Sequence, residues 1–162
     1  MSKKIRVDAI APIVGTLYPA PYDEPCRARE RRKLGDAAGL TQYGVNLLTL
    51  PPGAWSSQRH YHSHQDEFVY VLEGTVTLVT DEGEEELVPG DAAGFKAGEG
   101  TGHCLQNRSA GRALVLEIGT RNDVDTCRYP GIDLVAPAGG KPAFYTHADG
   151  TPYENIRRRG PE

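Results

Sequence analysis

From residue 43 onward the chain breaks into short runs rich in Val, Leu, Tyr and Thr, separated by Gly, Pro and acidic residues. Within the runs apolar and polar positions alternate. That is the period of a strand with one buried face, not of an amphipathic helix. The pattern predicts strands over 43–50, 58–63, 67–72, 75–80, 84–88, 91–95, 103–107 and 112–119. Their regular recurrence fits a sandwich or a closed barrel better than alternating strands and helices. Glu73-Gly74 and Asp81-Glu82-Gly83 each join two such runs and read as hairpin turns, which makes neighbouring strands antiparallel.

The flanks are patterned differently. Residues 1–40 are Pro-rich and then strongly charged, with CRARERRK over 26–33, and read as an arm containing at most a short helical turn. The arm packs either on its own barrel or on a partner subunit. Its charge run is either a solvated surface or an anion-binding rim of a ligand pocket. After Thr120 alternation fades, and residues 121–162 form a loop-rich extension that carries Arg157, Arg158 and Arg159 near its end. No internal repeat is present, so a single barrel over 41–120 is expected.

Composition narrows the function classes. The 162 residues are 38% hydrophobic and 25% charged, with 19 Gly and 12 Pro, which suits one soluble β-rich domain and argues against a helical bundle. The formal net charge of -4 offers no basic field for nucleic acid or an anionic membrane. The first apolar stretch is interrupted by Arg6, Asp8 and Pro12, unlike a signal peptide, so a cytoplasmic location is expected. Cys26, Cys104 and Cys127 are odd in number and widely spaced, and are read as reduced thiols.

The main chemical signal is a histidine cluster. Three of the five histidines fall in His60-Tyr61-His62-Ser63-His64, and Asp66 and Glu67 follow closely. On a strand His60 and His62 share a face, and two imidazoles at that spacing can chelate one ion. His62 and His64 have the same spacing, so the pair could slip by two residues. Glu67 has the wrong parity for one unbroken strand, so 63–66 must turn and reset the register, after which Glu67, Val69 and Val71 share one face. His103 opens the run His103-Cys104-Leu105-Gln106-Asn107 behind a Gly-rich loop, and is the natural fourth ligand. Three imidazoles and a carboxylate suit one divalent transition ion such as Zn, Mn, Fe or Ni, with coordination positions left open.

At this point the chain resembles the cupin superfamily, which is marked by two linked motifs. The first appears as Gly53-AWSSQR-His60-Tyr-His62-SHQD-Glu67-FVYVLE-Gly74. The second appears as Gly90-DAAGF-Lys96-Ala-Gly98-EGTG-His103-CLQ-Asn107, with Lys96 where Pro is usual and a longer loop before His103. The resemblance implies an antiparallel double-stranded β-helix, or jelly-roll barrel. It also implies a metal held by His60, His62, Glu67 and His103, and the gap to Glu67 favours the pair at 60 and 62. His64 is either an exposed turn residue or a catalytic proton-transfer group.

An open metal can polarise a carbonyl or hydroxyl, so the leading expectation is a small-molecule metalloenzyme such as a sugar or sugar-phosphate isomerase. A metal-dependent dioxygenase and a non-catalytic ligand sensor are the alternatives. Arg59, Lys96 and the basic segment are candidates for recognising an anionic ligand. Small cupins commonly dimerise, so a homodimer is expected.

Overall fold

A computed structural model describes residues 3–162; the first two residues of the predicted arm lie outside it. In chain order its strands are β1 (Ile13–Val14), β2 (Glu30–Lys33), β3 (Tyr43–Leu50), β4 (Tyr61–His62), β5 (Glu67–Glu73), β6 (Val76–Thr80), β7 (Glu84–Leu87), β8 (Ala92–Phe95), β9 (His103–Gln106), β10 (Ala113–Thr120), β11 (Cys127–Arg128) and β12 (Val135–Ala136). One helical turn, α1 (Leu34–Ala37), follows β2. Every strand pair is antiparallel. Among the described residues no helix is long and apolar enough to cross a membrane.

The strands form the two layers of a jelly roll. One layer is a six-stranded sheet in the order β1-β2-β3-β10-β5-β8. The other consists of β7-β6-β9 and β12-β11-β4, joined where His60 and His103 pair across an isolated bridge. Alternation along each strand decides what lies between the layers. On β5, Val69 and Val71 point inward, while Phe68, Tyr70 and Leu72 face outward and are 42%, 38% and 48% exposed. Leu48, Leu50, Val71 and Val115 of the first layer meet Val76, Leu78, Leu87 and Leu105 of the second. Each fully buried aliphatic side chain contributes about 1.5–3 kcal/mol.

Two expectations are corrected. The Glu73-Gly74 turn is not a hairpin: β5 pairs with β10 and β8, and β6 pairs with β7 and β9 in the other layer. Gly74 has φ +76°, and a Cβ there would stand 2.4 Å from the carbonyl oxygen of Arg112, so this glycine lets the chain cross between layers against β10. The Asp81-to-Gly83 turn is a true hairpin. The second correction concerns the CRARERRK segment, which is not simply a solvated surface. Residues 30–33 form β2 against β3, Cys26 is fully buried, and Arg29 is 8% exposed.

The two flanks build a second core together. Tyr18 and Cys26 from the N-terminal side pack with Cys127, Tyr129, Leu134 and Tyr145 from the C-terminal side. Thr16 and Arg159 bridge their backbones, with bonds of 3.0 and 2.8 Å. This core includes Cys127 of β11 and lies beside the histidine cluster, with the Tyr129 ring 5.9 Å from that of His60. The three cysteines are buried and unpaired.

Candidate metal centre

Four short-range features bring the histidines and Glu67 to one place. His60 and His103 exchange both backbone hydrogen bonds, at 3.1 and 2.9 Å, which sets their rings 4.7 Å apart. His62 lies two residues on, on the same face. Residues 63–66 leave the strand, and Glu67 restarts it as the first residue of β5. The loop before His103 is pinned at both ends: the Gly98 N–H donates to the His62 carbonyl at 2.9 Å, and the Gly102 N–H to Asp81 at 2.6 Å. Gly102 is needed for close approach, because a Cβ there would meet Pro130 at 2.9 Å and Arg59 at 3.1 Å.

The side chains converge on a single oxygen. Glu67 Oε2 lies 2.8 Å from His103 Nε2, 3.3 Å from His60 Nε2 and 3.6 Å from His62 Nε2. His60, Glu67 and His103 offer ligand atoms that all lie within 4.8 Å of one another, and so do His60, His62 and Cys127. Cys127 stands directly across from His62 in the β4–β11 ladder. Burial pushes its thiol above its ordinary pKa, so it is neutral beside the imidazoles.

Surrounding groups orient the rings. Asp125 accepts from His62 Nδ1 at 2.6 Å, and also holds the His64 N–H at 2.7 Å and the Ser63 hydroxyl at 3.3 Å. His60 Nδ1 faces the carbonyl of Gln58 at 3.0 Å. His103 stacks flat on Phe95, with ring centroids 3.5 Å apart. For His60 and His62 this leaves Nε2 to face the common point, as carboxylate and carbonyl partners do for ligating imidazoles. His103 Nδ1 is buried without a hydrogen-bond partner among the described residues, and its ring is held by the stacking on Phe95.

Electrostatics follow from the same geometry. Burial alone would raise the pKa of Glu67, but the His60 charge and hydrogen bonds from His103 and His60 hold its carboxyl well below the usual range. Burial opposes protonation of His60, yet the Glu67 carboxylate overrides it and the pKa rises. At His103 burial wins over the Glu67 hydrogen bond, and the pKa falls.

Two cavities meet at this cluster, and Glu67, His103 and Phe95 border both. One, of about 510 Å³, is edged by Glu82, Glu84, Glu85, Glu99 and Lys96. The other, of about 390 Å³, also reaches His60 and is edged by Arg29, Arg31, Lys33 and Arg121.

The remaining sequence candidates are placed as follows. His64 is exposed, with Nδ1 on the Ser63 hydroxyl at 2.8 Å, and borders neither cavity. The backbone turn gripped by Asp125 carries it away from the cluster. Arg59 pairs with Asp81 at 3.0 Å, and Lys96 borders the acidic cavity. Sequence reasoning missed Asp125 and Cys127, which come from the loop-rich tail and carry no local signal.

The comparisons agree with this architecture. Residues 46–119 match the family model for the cupin domain. A sugar phosphate isomerase of the cupin superfamily from Silicibacter pomeroyi is 42% identical, with 96% of this chain and 99% of that chain aligned at a TM-score of 0.85. The chain belongs to the cupin superfamily. A candidate sugar phosphate isomerase from Acidithiobacillus ferrooxidans is 30% identical over 82% of this cupin and 83% of its own length, with a TM-score of 0.69. A predicted oxalate decarboxylase from Thermotoga maritima shares the fold at 18% identity, covering 74% of this cupin and 99% of that chain with a TM-score of 0.61. No curated protein matches the chain.

The donor set of this cupin fits a divalent transition ion. Imidazole Nε2 atoms and a carboxylate oxygen share one point, the carboxylate is held ionised, and Asp125 and the Gln58 carbonyl fix two of the rings.

Proposed function

We propose that this cupin is a metal-dependent small-molecule enzyme of the isomerase type, acting on a sugar or sugar phosphate. The observation that carries the reading is the convergence of His60, His62 and His103 Nε2 on Glu67 Oε2 at a point open to two cavities. Its support is the likeness to the isomerase from Silicibacter pomeroyi.

His60, His62, Glu67 and His103 would hold the ion, the two nearest imidazoles and the carboxylate being those already grouped within 4.8 Å. A bound divalent ion supplies Lewis acidity, which polarises a carbonyl or hydroxyl oxygen and eases loss of the neighbouring proton. The chain's own residues prepare this. Asp125 keeps the proton of His62 on Nδ1, the Gln58 carbonyl does so for His60, and Phe95 holds the His103 ring in place and covers it from water. Glu67 stays ionised and lowers the charge of any cation held there.

The test is a panel of aldose and ketose phosphates offered to protein reconstituted with Zn, Mn, Fe or Ni, followed by NMR. Metal-dependent interconversion that Glu67→Gln and His103→Ala abolish is expected. Oxygen uptake in place of isomerisation would overturn the reading in favour of a dioxygenase, and saturable binding without turnover would favour a sensor.

A further inference from the structure

The basic face formed by Arg29 and the adjoining strand β2 plays no part in orienting the histidines. Arg29, Arg31 and Lys33 alternate along the chain, so their side chains share one face, and all three border the cavity of about 390 Å³ that reaches His60, Glu67 and His103. Arg29 is buried, and its guanidinium is met only by neutral groups. It donates to the Gly15 carbonyl at 3.3 Å, to Thr16 Oγ1 at 3.1 Å and to the Ser56 carbonyl, and it lies 5.4 Å above the ring centroid of Tyr18. No carboxylate pairs with it among the described residues.

Arg31 has one carboxylate partner. Glu117 receives its Nε at 2.7 Å and its Nη2 at 2.8 Å, and Nη2 also donates to the Ser56 carbonyl at 2.9 Å. Its Nη1 makes no hydrogen bond among the described residues. Two guanidiniums therefore close on one carbonyl oxygen with a single carboxylate between them. One of the two guanidiniums is left without a carboxylate partner in a sheltered place, since Glu67, which also borders this cavity, is engaged by the histidines. Such an arrangement is costly unless an anion completes it. Lys33 adds a further cation at the rim, shared with Asp36 at 3.4 Å.

The other cavity has the opposite character. Glu84 is paired with Arg108 at 2.7 and 2.8 Å, but Glu82, Glu85 and Glu99 still outnumber Lys96 there, and an anion entering it would be repelled. The sign of the charge thus separates the two approaches to the cluster.

We propose that the Arg29–Arg31–Lys33 face is the subsite for the anionic group of the ligand, a phosphate-like oxyanion, and that the ligand enters through this cavity with its uncharged end toward His60, Glu67 and His103. Arginine forks suit such an oxyanion because they can present two parallel donors to it. The inference rests on the proposed function for the ligand's identity, but the oxyanion site stands on this charge arrangement alone.

The probe is inorganic phosphate, titrated by calorimetry into the full-length chain as purified and after chelation. Chelation removes any direct bond from phosphate to a metal. Wild type is expected to bind phosphate saturably in both forms. The charge-balanced double variant Arg31→Gln with Glu117→Gln should weaken binding about tenfold or more. Lys33→Gln, at a half-exposed rim position where folding is not at stake, should weaken it about threefold. Lys96→Gln should leave it within about twofold. No saturable binding by wild type, or an equal loss in Lys96→Gln, overturns the proposal. Phosphate binding without any metal uptake upholds the oxyanion site while contradicting the metal reading, so the two fail separately.

Discussion

Asp125 contacts no candidate ligand atom that faces Glu67, yet its replacement by Asn should weaken metal binding strongly. Its side chain is 6% exposed, and its bond to His62 Nδ1 is 2.6 Å long. That bond holds the imidazole proton on Nδ1 and leaves the Nε2 lone pair free. In Asp125→Asn the amide oxygen can still accept from the His64 N–H, now held at 2.7 Å. The amide NH₂ then faces His62 Nδ1 and donates to it. This favours the tautomer with its proton on Nε2, the atom that must ligate. Loss of such a partner costs about 10- to 100-fold in affinity, equivalent to about 1.4–2.7 kcal/mol. The assay is competition with a chromophoric chelator at fixed pH, with the thermal midpoint of the metal-free variant as the folding control. A folded Asp125→Asn protein with affinity within about twofold of wild type would refute the reasoning.

Three further outcomes are expected. Metal affinity should fall as pH drops through the imidazole range, by roughly tenfold per unit for each proton displaced, and Glu67, by raising the His60 pKa above its ordinary value, starts that loss at higher pH than a free imidazole would. Glu67 itself stays ionised to below its ordinary value and adds nothing to that loss, so an affinity that does not change between pH 7 and about pH 5 would contradict imidazole ligation. Asn107→Ala should destabilise the fold by about 2 kcal/mol in urea titration, since this 1% exposed side chain donates to the buried Leu50 carbonyl at 2.7 Å and to the Gly111 carbonyl at 2.8 Å, and only the second keeps another side-chain donor, the Ser109 hydroxyl. Gly74→Ala should lower the urea midpoint by an amount equivalent to more than about 2 kcal/mol, because it combines a left-handed backbone with a clash against Arg112; an unchanged midpoint would mean that the crossing between layers tolerates a side chain.

The barrel strands were legible because alternation is a local property. Glu67, Val69 and Val71 share a face on β5 as the reset register requires, and the loop over 98–102 delivers His103 inward through backbone bonds that Gly98 and Gly102 make. Pairing between layers was less legible. Glu73-Gly74 has hairpin chemistry, but the contact of Gly74 with Arg112 and Ala113, distant in sequence, turns it into a crossover. The predicted strand over 58–63 is regular only at Tyr61–His62, because the Gln58 carbonyl faces the His60 ring and its side chain reaches the Tyr22 carbonyl. Arg29, Arg31 and Lys33 could have been read from their two-residue spacing. The run itself allowed either a solvated surface or an anion-binding rim, and only the sheet and Glu117 show which of its side chains are sheltered. Asp125 was beyond reach, because nothing local marks a loop carboxylate that will meet His62 across the fold.

The most direct test of the metal centre is the metal content of purified protein measured by elemental analysis after reconstitution and desalting. Wild type is predicted to retain about one divalent ion per chain. His60→Ala, His62→Ala, Glu67→Ala and His103→Ala should each lose most of it, and His64→Ala should retain it. A wild-type protein that holds no stoichiometric ion, or a His64→Ala variant that loses as much as His103→Ala, would contradict the assignment.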